Sequence, residues 1–403
     1  MAVISRPIYL DHIVSRLNRE MMIILVGQRR VGKSYMLRQL HDWLRENKPE
    51  ANVVYINKEL QAFSEITNAG ELYAAASAKM DDGGDNYLLV DEVQDIDNYE
   101  DALRSLHAEG KCQIVVTGSN AYLFSSEIST RLAGRYIEIP IYSLGYEEFL
   151  CFHNLEDSDA ALQDYLRVGG LPGLCHFDIH DEAQVRDYLQ GVYNTVMMRD
   201  VVTREEIRNV NFIENLSHFV ADNIGKLISV NNIANVMKAQ GDKTSVPSVV
   251  TYLGYLCNAL IVDRVARFDI HGKRLFEQIY KYYFADHGLR NLLCGFNIRG
   301  SIEKLIENVV YHHLLICGFR VSVGVLRAGE IDFVATKGDK TLYIQATYLL
   351  GSEDTIKREF GNLEAIQNNY PKWVVSMDPI SGDMSNYPGI RHVNLREFLK
   401  ERL

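Results

Sequence analysis

Apolar residues in the first 140 positions fall in short runs, at 22–26, 52–56, 86–91, 113–117 and 135–139. Runs of this length that do not alternate with polar residues are the pattern of strands covered on both faces. Between the first two runs, Met36, Leu37, Leu40 and Trp43 recur with helical spacing. The alternation predicts an α/β fold, a parallel sheet with helices on both faces. Ligands of such sheets bind at the carboxyl ends of the strands.

The pattern then changes twice. Positions 141 to about 205 read mostly as helix, broken at "VGGLPGL", where Gly169, Gly170 and Pro172 cannot continue a regular helix. "FIENLSHFVADNIG", "ISVNNIANVMKAQ" and "TSVPSVVTYLGYLCNALI" read as three amphipathic helices. "VDRVARFDIHGKRLF" follows as a hairpin, so the order is that of a winged helix. Beyond 300 come a helix, several strands and a closing helix. The shifts predict domains at 1–140, 141–205, 206–295 and 296–403.

A chain of 403 residues is too long for one core. The 47% hydrophobic and 24% charged content is that of a soluble globular protein. The net charge of -11 supplies no global basic field toward nucleic acid, so any such contact rests on a local patch. Six cysteines without a C-x-x-C pair point to thiols of a reducing cytoplasm. No apolar run approaches ~18 residues, which predicts no membrane helix. The first residues lack the long apolar stretch of a signal peptide. A cytoplasmic location is expected.

The chemistry concentrates at "GQRRVGKS", residues 27–34, which fits G-x-x-x-x-G-K-[ST] between a strand and a helix. Gly27 and Gly32 let backbone amides turn inward around phosphate oxygens, and the helix N-terminus adds positive charge. Gly27, Gln28, Arg29, Arg30, Val31, Gly32, Lys33, Ser34 and Tyr35 are therefore predicted to hold ATP or ADP. Lys33 reaches the terminal phosphates and Ser34 ligates Mg2+. "NYLLVDEVQDID" places Asp91 to complete the metal shell and Glu92 to activate water. "CQIVVTGSN" ends in Thr117, Ser119 and Asn120. Asn120 is a candidate γ-phosphate sensor, and the alternative is that Ser119 and Asn120 cap the next helix. Arg131 and Arg135 are candidate arginine fingers for a neighbouring copy, which implies a homo-oligomer, or else surface arginines. Arg29 and Arg30 either touch phosphates or face solvent.

"GQRRVGKS", "LLVDEVQ", "IVVTGSN" and "RLAGRYIEIPIYSLGYEEF" together resemble the prokaryotic AAA-type ATPases that carry a C-terminal nuclease-like domain. "YLRVGGLPGL" is similar to the glycine–proline lid motif of related ATPases that act as nucleotide switches, and "YNTVMMRDVV" to the segment after that lid. The resemblance spans essentially the whole chain. It implies a P-loop ATPase core, a helical lid with Pro172 beside the nucleotide, a winged helix and a nuclease-like module. It names no substrate or partner.

Two later features carry open alternatives. The third winged-helix helix is nearly free of basic residues, while the hairpin carries Arg264, Arg267, Lys273 and Arg274. That pattern suits DNA-backbone contact through the wing or docking of a protein. The C-terminal pattern looks like the PD-(D/E)xK nuclease fold, in which carboxylates hold a divalent ion and a lysine activates water. Glu307 and Asp332 match the first two positions, but Gln345 stands for the second strand carboxylate and Thr347 for the lysine. Lys337, Lys340 and Lys357 lie nearby, and nothing in the sequence places them at the site. A degenerate site, used for docking rather than cleavage, is expected; the alternatives to an ATP-hydrolysing enzyme are a slow nucleotide-dependent switch working by protein contacts and an ATP-regulated DNA nuclease.

Overall fold

The computed structural model describes residues 4–119, 132, 134–207, 209–272, 274–327, 329–379, 382–383 and 386–403, with backbone alone at 274–278 and 383. The chain divides into two compact units, 1–143 with 258–260, and 144–257 with 261–403. Among the described residues no helix is long and apolar enough to cross a membrane.

The first unit is built on β1 (Met22–Val26), β2 (Asn52–Asn57), β3 (Asn86–Asp91), β4 (Gln113–Gly118) and β5 (Tyr136–Pro140). They form one sheet in the order β2-β3-β4-β1-β5, and every pairing is parallel. Helices α1 (Pro7–Val14), α2 (Lys33–Asn47), α3 (Ala69–Ser77) and α4 (Tyr99–Ala108) belong to the same unit. All five residues of β1 and all six of β3 are buried, which is why these strands read as unbroken apolar runs. Alternate residues feed different cores. Met22, Ile24, Val26, Leu88 and Val90 pack with Leu72, Leu103 and Leu106 of α3 and α4.

In the second unit come α5 (Tyr146–His153), α6 (Asp159–Val168) and α7 (Glu182–Thr195), the last running on into a π-helical stretch, Val196–Thr203. Next are α8 (Val210–Asp222), β6 (Ile228–Ser229), α9 (Val230–Ala239), α10 (Val246–Asn258), β7 (Val262–Asp269) and β8 (Arg274–Phe284). The Ser229 hydroxyl accepts the Asn232 amide at 3.2 Å and so caps α9. After them lie α11 (His287–Cys294), α12 (Ile302–Ile316), β9 (Arg320–Val325), β10 (Glu330–Lys337), β11 (Lys340–Ala346), α13 (Glu353–Glu364), β12 (Lys372–Ser376), β13 (Gly382–Asp383), β14 (Ile390–Asn394) and α14 (Leu395–Phe398).

One nine-stranded sheet runs through this unit in the order β13-β14-β12-β11-β10-β9-β7-β8-β6. Here the structure departs from the expected wing. The β7–β8 hairpin is an inner part of the sheet, because β7 pairs parallel with β9 through Arg267–Val323, Phe268–Gly324 and Asp269–Val325. The expected boundary at 295/296 therefore crosses one continuous sheet. Parallel partners far apart in sequence leave no local signal of their pairing.

The glycine–proline turn also has a defined seat. The Gly170 amide donates to Asp286 at 2.9 Å, and the Leu144 amide donates to the Gly170 carbonyl at 2.7 Å. Pro172 opens a short 3-10 helix, as its fixed φ favours. The turn is thus tied within the second unit through both the amide and the carbonyl of Gly170.

Candidate active site

The loop between β1 and α2 is shaped by two glycines. A Cβ on Gly27 would lie 2.1 Å from the Ile141 carbonyl oxygen, so the chain leaving β5 excludes any other residue there. Gly32 has φ 99 and starts α2 from a left-handed conformation. The loop is braced from outside by Arg6, a residue the sequence pattern did not single out. Its buried guanidinium donates to the Val31 carbonyl at 2.9 Å and to the Tyr142 carbonyl at 3.1 Å. A lone arginine before a helix carries no motif, so only the fold reveals this role.

Inside the loop, Lys33 Nζ donates to the Gly27 and Gln28 carbonyls at 2.9 and 3.0 Å. Both atoms of the buried Gln28 side-chain amide have no hydrogen-bond partner. Val31 is buried, whereas Arg30 and Tyr35 are exposed, with Arg38 over the Tyr35 ring.

β3 and β4 deliver the acidic half. Ser34 Oγ lies 3.1 Å from Asp91 Oδ1, and the Thr117 hydroxyl donates to the same oxygen at 2.6 Å. Asp91 Oδ2 is buried and has no hydrogen-bond partner. Burial pushes the Asp91 carboxyl above its ordinary value, against the hydrogen bonds from Thr117 and Ser34. A buried carboxylate oxygen without a partner, next to a serine hydroxyl, is a hard-oxygen donor pair that fits Mg2+.

Glu92 follows with φ 55 and ψ 52, a left-handed conformation that non-glycine residues seldom adopt. Its amide donates to Thr117 Oγ1 at 2.9 Å, which holds the turn. Its carboxylate accepts from the Gln94 amide. Burial pushes Glu92 up, but Lys33 and Arg29, with hydrogen bonds from Gln94 and Ser119, outweigh burial and hold it below its ordinary value. It therefore stays ionised, as a proton acceptor requires. Ser119, buried, accepts from Arg29 at 3.3 Å and from Gln94 Nε2 at 3.3 Å. Its hydroxyl thus faces the site.

Gly27 to Ser34, Asp91, Glu92, Thr117 and Ser119 are therefore brought together. Arg135 is not. It precedes β5, whose Tyr136 pairs with Met22 at the start of β1, at the end of the sheet away from the loop. Asn120, Arg131 and Lys273 lie outside the described residues, and so does the Arg274 side chain. Arg264 is exposed, with its guanidinium 4.7 Å from the Tyr280 ring centre, and Arg267 is half-buried.

The second unit holds a separate charged centre. Glu307 stands on α12, among buried Leu305, Ile306, Val309 and Val310. A register shift between Ile331 and Val334 marks a bulge at Asp332 in β10. The lysine between them comes from β8. Lys281 Nζ lies 2.7 Å from Glu307, 2.6 Å from Glu330 and 3.1 Å from Asp332. Lys337 instead donates to the Cys317 carbonyl, and Lys340 and Lys357 are exposed. Gln345 braces the strand: it accepts the Asp332 amide at 2.6 Å and donates to Glu359 at 2.9 Å. Thr347 is buried, with its amide on the Val375 carbonyl.

Burial pushes Lys281 toward neutrality, but Glu307, Asp332 and Glu330 outweigh it and raise the ammonium well above its ordinary value. Three carboxylates share this one ammonium. Glu307, the least exposed of them, is pushed by burial up to about 7.

Residues 19–150 match the family model described as an AAA domain, and residues 159–299 match a domain of unknown function (DUF8612). A protein of Haemophilus influenzae described as uncharacterized is 32% identical over 381 residues, covering 93% of this chain and 94% of its own. A second uncharacterized protein, from Methanocaldococcus jannaschii, is 29% identical over 89% of this chain and 80% of its own. Among solved structures, a Walker-type ATPase of Pyrococcus abyssi aligns with a TM-score of 0.48 and 16% identity, over 71% of this chain and 93% of that one. AMPPCP-bound DnaA from Aquifex aeolicus aligns with a TM-score of 0.33 and 15% identity, over 61% of this chain and 85% of that one. With its end-to-end kinship to the Haemophilus influenzae protein, the chain belongs to that protein's family, and its own residues 19–150, which carry the loop and the strand-end carboxylates, are an AAA domain.

Proposed function

We propose that this chain hydrolyses ATP with Mg2+ at the loop of residues 27–35. The carrying observation is the chain of contacts from Ser34 through Asp91 and Thr117 to Glu92, at the carboxyl ends of β1, β3 and β4. Lys33 and the start of α2 hold the terminal phosphates. Ser34 and Asp91 would hold the ion, which would neutralise phosphate charge. Glu92 accepts the proton of the attacking water. Its turn, fixed by Thr117, aims the carboxylate before substrate arrives. Turnover measured on Lys33→Ala and Glu92→Gln is the test. Lys33→Ala should abolish turnover, and Glu92→Gln should bind ATP yet turn it over slowly. Turnover that survives Lys33→Ala would refute the assignment.

In the same reading, residues 141–205 form the lid, and the rest of the second unit, in which the winged-helix elements and the nuclease-like elements share one sheet, receives the nucleotide state. The nuclease-like part binds rather than cuts. Lys281 favours this, because its ammonium sits among the carboxylates that a divalent ion would need. DNA incubated with the full chain and Mg2+ or Mn2+ should stay intact. Cleavage that Asp332→Ala abolishes would establish a nuclease instead.

A further inference from the structure

The arginines around the nucleotide loop have very different settings. Arg30 has φ 72 and an exposed side chain. Arg135 sits at the far end of the sheet. Arg29, in the third position of the loop, is 5% exposed. Its Nη2 lies 3.3 Å from Ser119 Oγ, at the end of β4. The same hydroxyl accepts from Gln94 at 3.3 Å, and Gln94 in turn donates to Glu92. Lys33 is held by the carbonyls of Gly27 and Gln28, the two residues just before Arg29.

Burying a guanidinium costs several kcal/mol unless negative charge or hydrogen bonds offset it. A second cation beside the loop lysine is what a transferring phosphoryl group needs, because charge spreads over its three outer oxygens.

We propose that Arg29 is an arginine finger supplied in cis: docked on Ser119 beside Glu92, it stabilises the transferred phosphoryl group, so that turnover needs no arginine from a second copy. This rests on the ATPase reading above. The step balances simply. The water oxygen bonds to the γ-phosphorus, the bond to the bridging oxygen breaks and ADP leaves. The water proton passes to Glu92. Arg29 keeps its charge throughout, since guanidinium does not deprotonate in proteins.

Full-length wild type, Arg29→Ala and Arg29→Lys would be compared for ATP turnover across a range of protein concentrations, and for affinity for a fluorescent ATP analogue. The expected result is a fall in kcat of about a hundredfold or more in Arg29→Ala, with nucleotide affinity little changed. Arg29→Lys should recover part of the rate, because it keeps the charge but loses the planar fork. Wild-type activity per molecule should not depend on concentration. Arg29→Lys also carries the test if Arg29→Ala does not fold.

Turnover in Arg29→Ala within about threefold of wild type overturns the inference alone. So does wild-type activity that rises with concentration and is restored by mixing Arg29→Ala with Lys33→Ala. A wild-type chain without turnover overturns the ATPase reading, and this inference with it.

Discussion

Lys281 and Asp332 are 51 residues apart in the chain, and their charged atoms are 3.1 Å apart in the folded unit. The contact links β8 to β10 across β7 and β9. Asn308, next to Glu307, fixes the alignment by bonding both the amide and the carbonyl of Phe284, at 2.8 and 2.9 Å. That clamp seats Lys281 three residues earlier on the same strand.

Lys281→Met would leave three carboxylates without their ammonium. Breaking a buried ion pair from one side costs about 3–5 kcal/mol. The variant should melt on the order of 10 °C lower, at about 2–4 °C per kcal/mol for a unit of this size. In nucleotide-free protein, Mn2+ should raise the melting temperature of Lys281→Met and leave wild type unmoved. A wild-type shift that Asp332→Asn removes would show that metal displaces the lysine.

Glu307 makes stability depend on pH. Burial holds it at about 7, against an ordinary 4.5. Between those values the native state keeps a proton that the unfolded chain has released. Stability from this group therefore falls as pH rises from about 4.5 to about 7, by up to ~3 kcal/mol. Its facing groups, Lys281, Tyr283, Glu330 and Asp332, stay within the same centre. Denaturant titrations at stepped pH should show the slope in wild type and a flatter profile in Glu307→Gln.

Asp91 should show function set against stability. Its carboxyl is raised by burial and one oxygen has no partner, so the ionised form is costly there. Asp91→Asn should melt at or slightly above wild type without nucleotide, because it removes a buried charge. Stabilisation by Mg2+ with ATP should be lost in the same variant. A clear drop in the melting temperature of the nucleotide-free variant would contradict this account.

Arg6→Ala should act on the loop from outside. Two carbonyls, of Val31 and Tyr142, lose a charged donor, at a cost of about 1.5–3 kcal/mol for each hydrogen bond to a charged group. Nucleotide affinity should weaken while Glu92 keeps its environment. Hydrogen exchange at the loop amides would report the loosening. Unchanged exchange would mean that the loop holds its shape without this brace.

The sequence by itself determined the nucleotide unit. Its strands β1 and β3 are buried on both faces and so read as unbroken apolar runs, and the phosphate loop is contiguous, so Gly27, Lys33, Ser34, Asp91 and Glu92 could all be named from local pattern. Glu307 and Asp332 were legible through the resemblance to a nuclease fold, whose acidic positions they match. Tertiary structure alone decided what these groups meet. Gln345 turns away to brace backbone and Glu359, and the lysine at the acidic centre is Lys281, from a strand that reads as a basic wing. Arg29 and Arg30 are neighbours in sequence, yet one is buried on Ser119 and the other faces solvent. The physical reason is common to these cases. A local pattern reports which face of an element is covered, whereas a charge finds its partner through pairings between distant strands, and those leave no periodic trace in the chain.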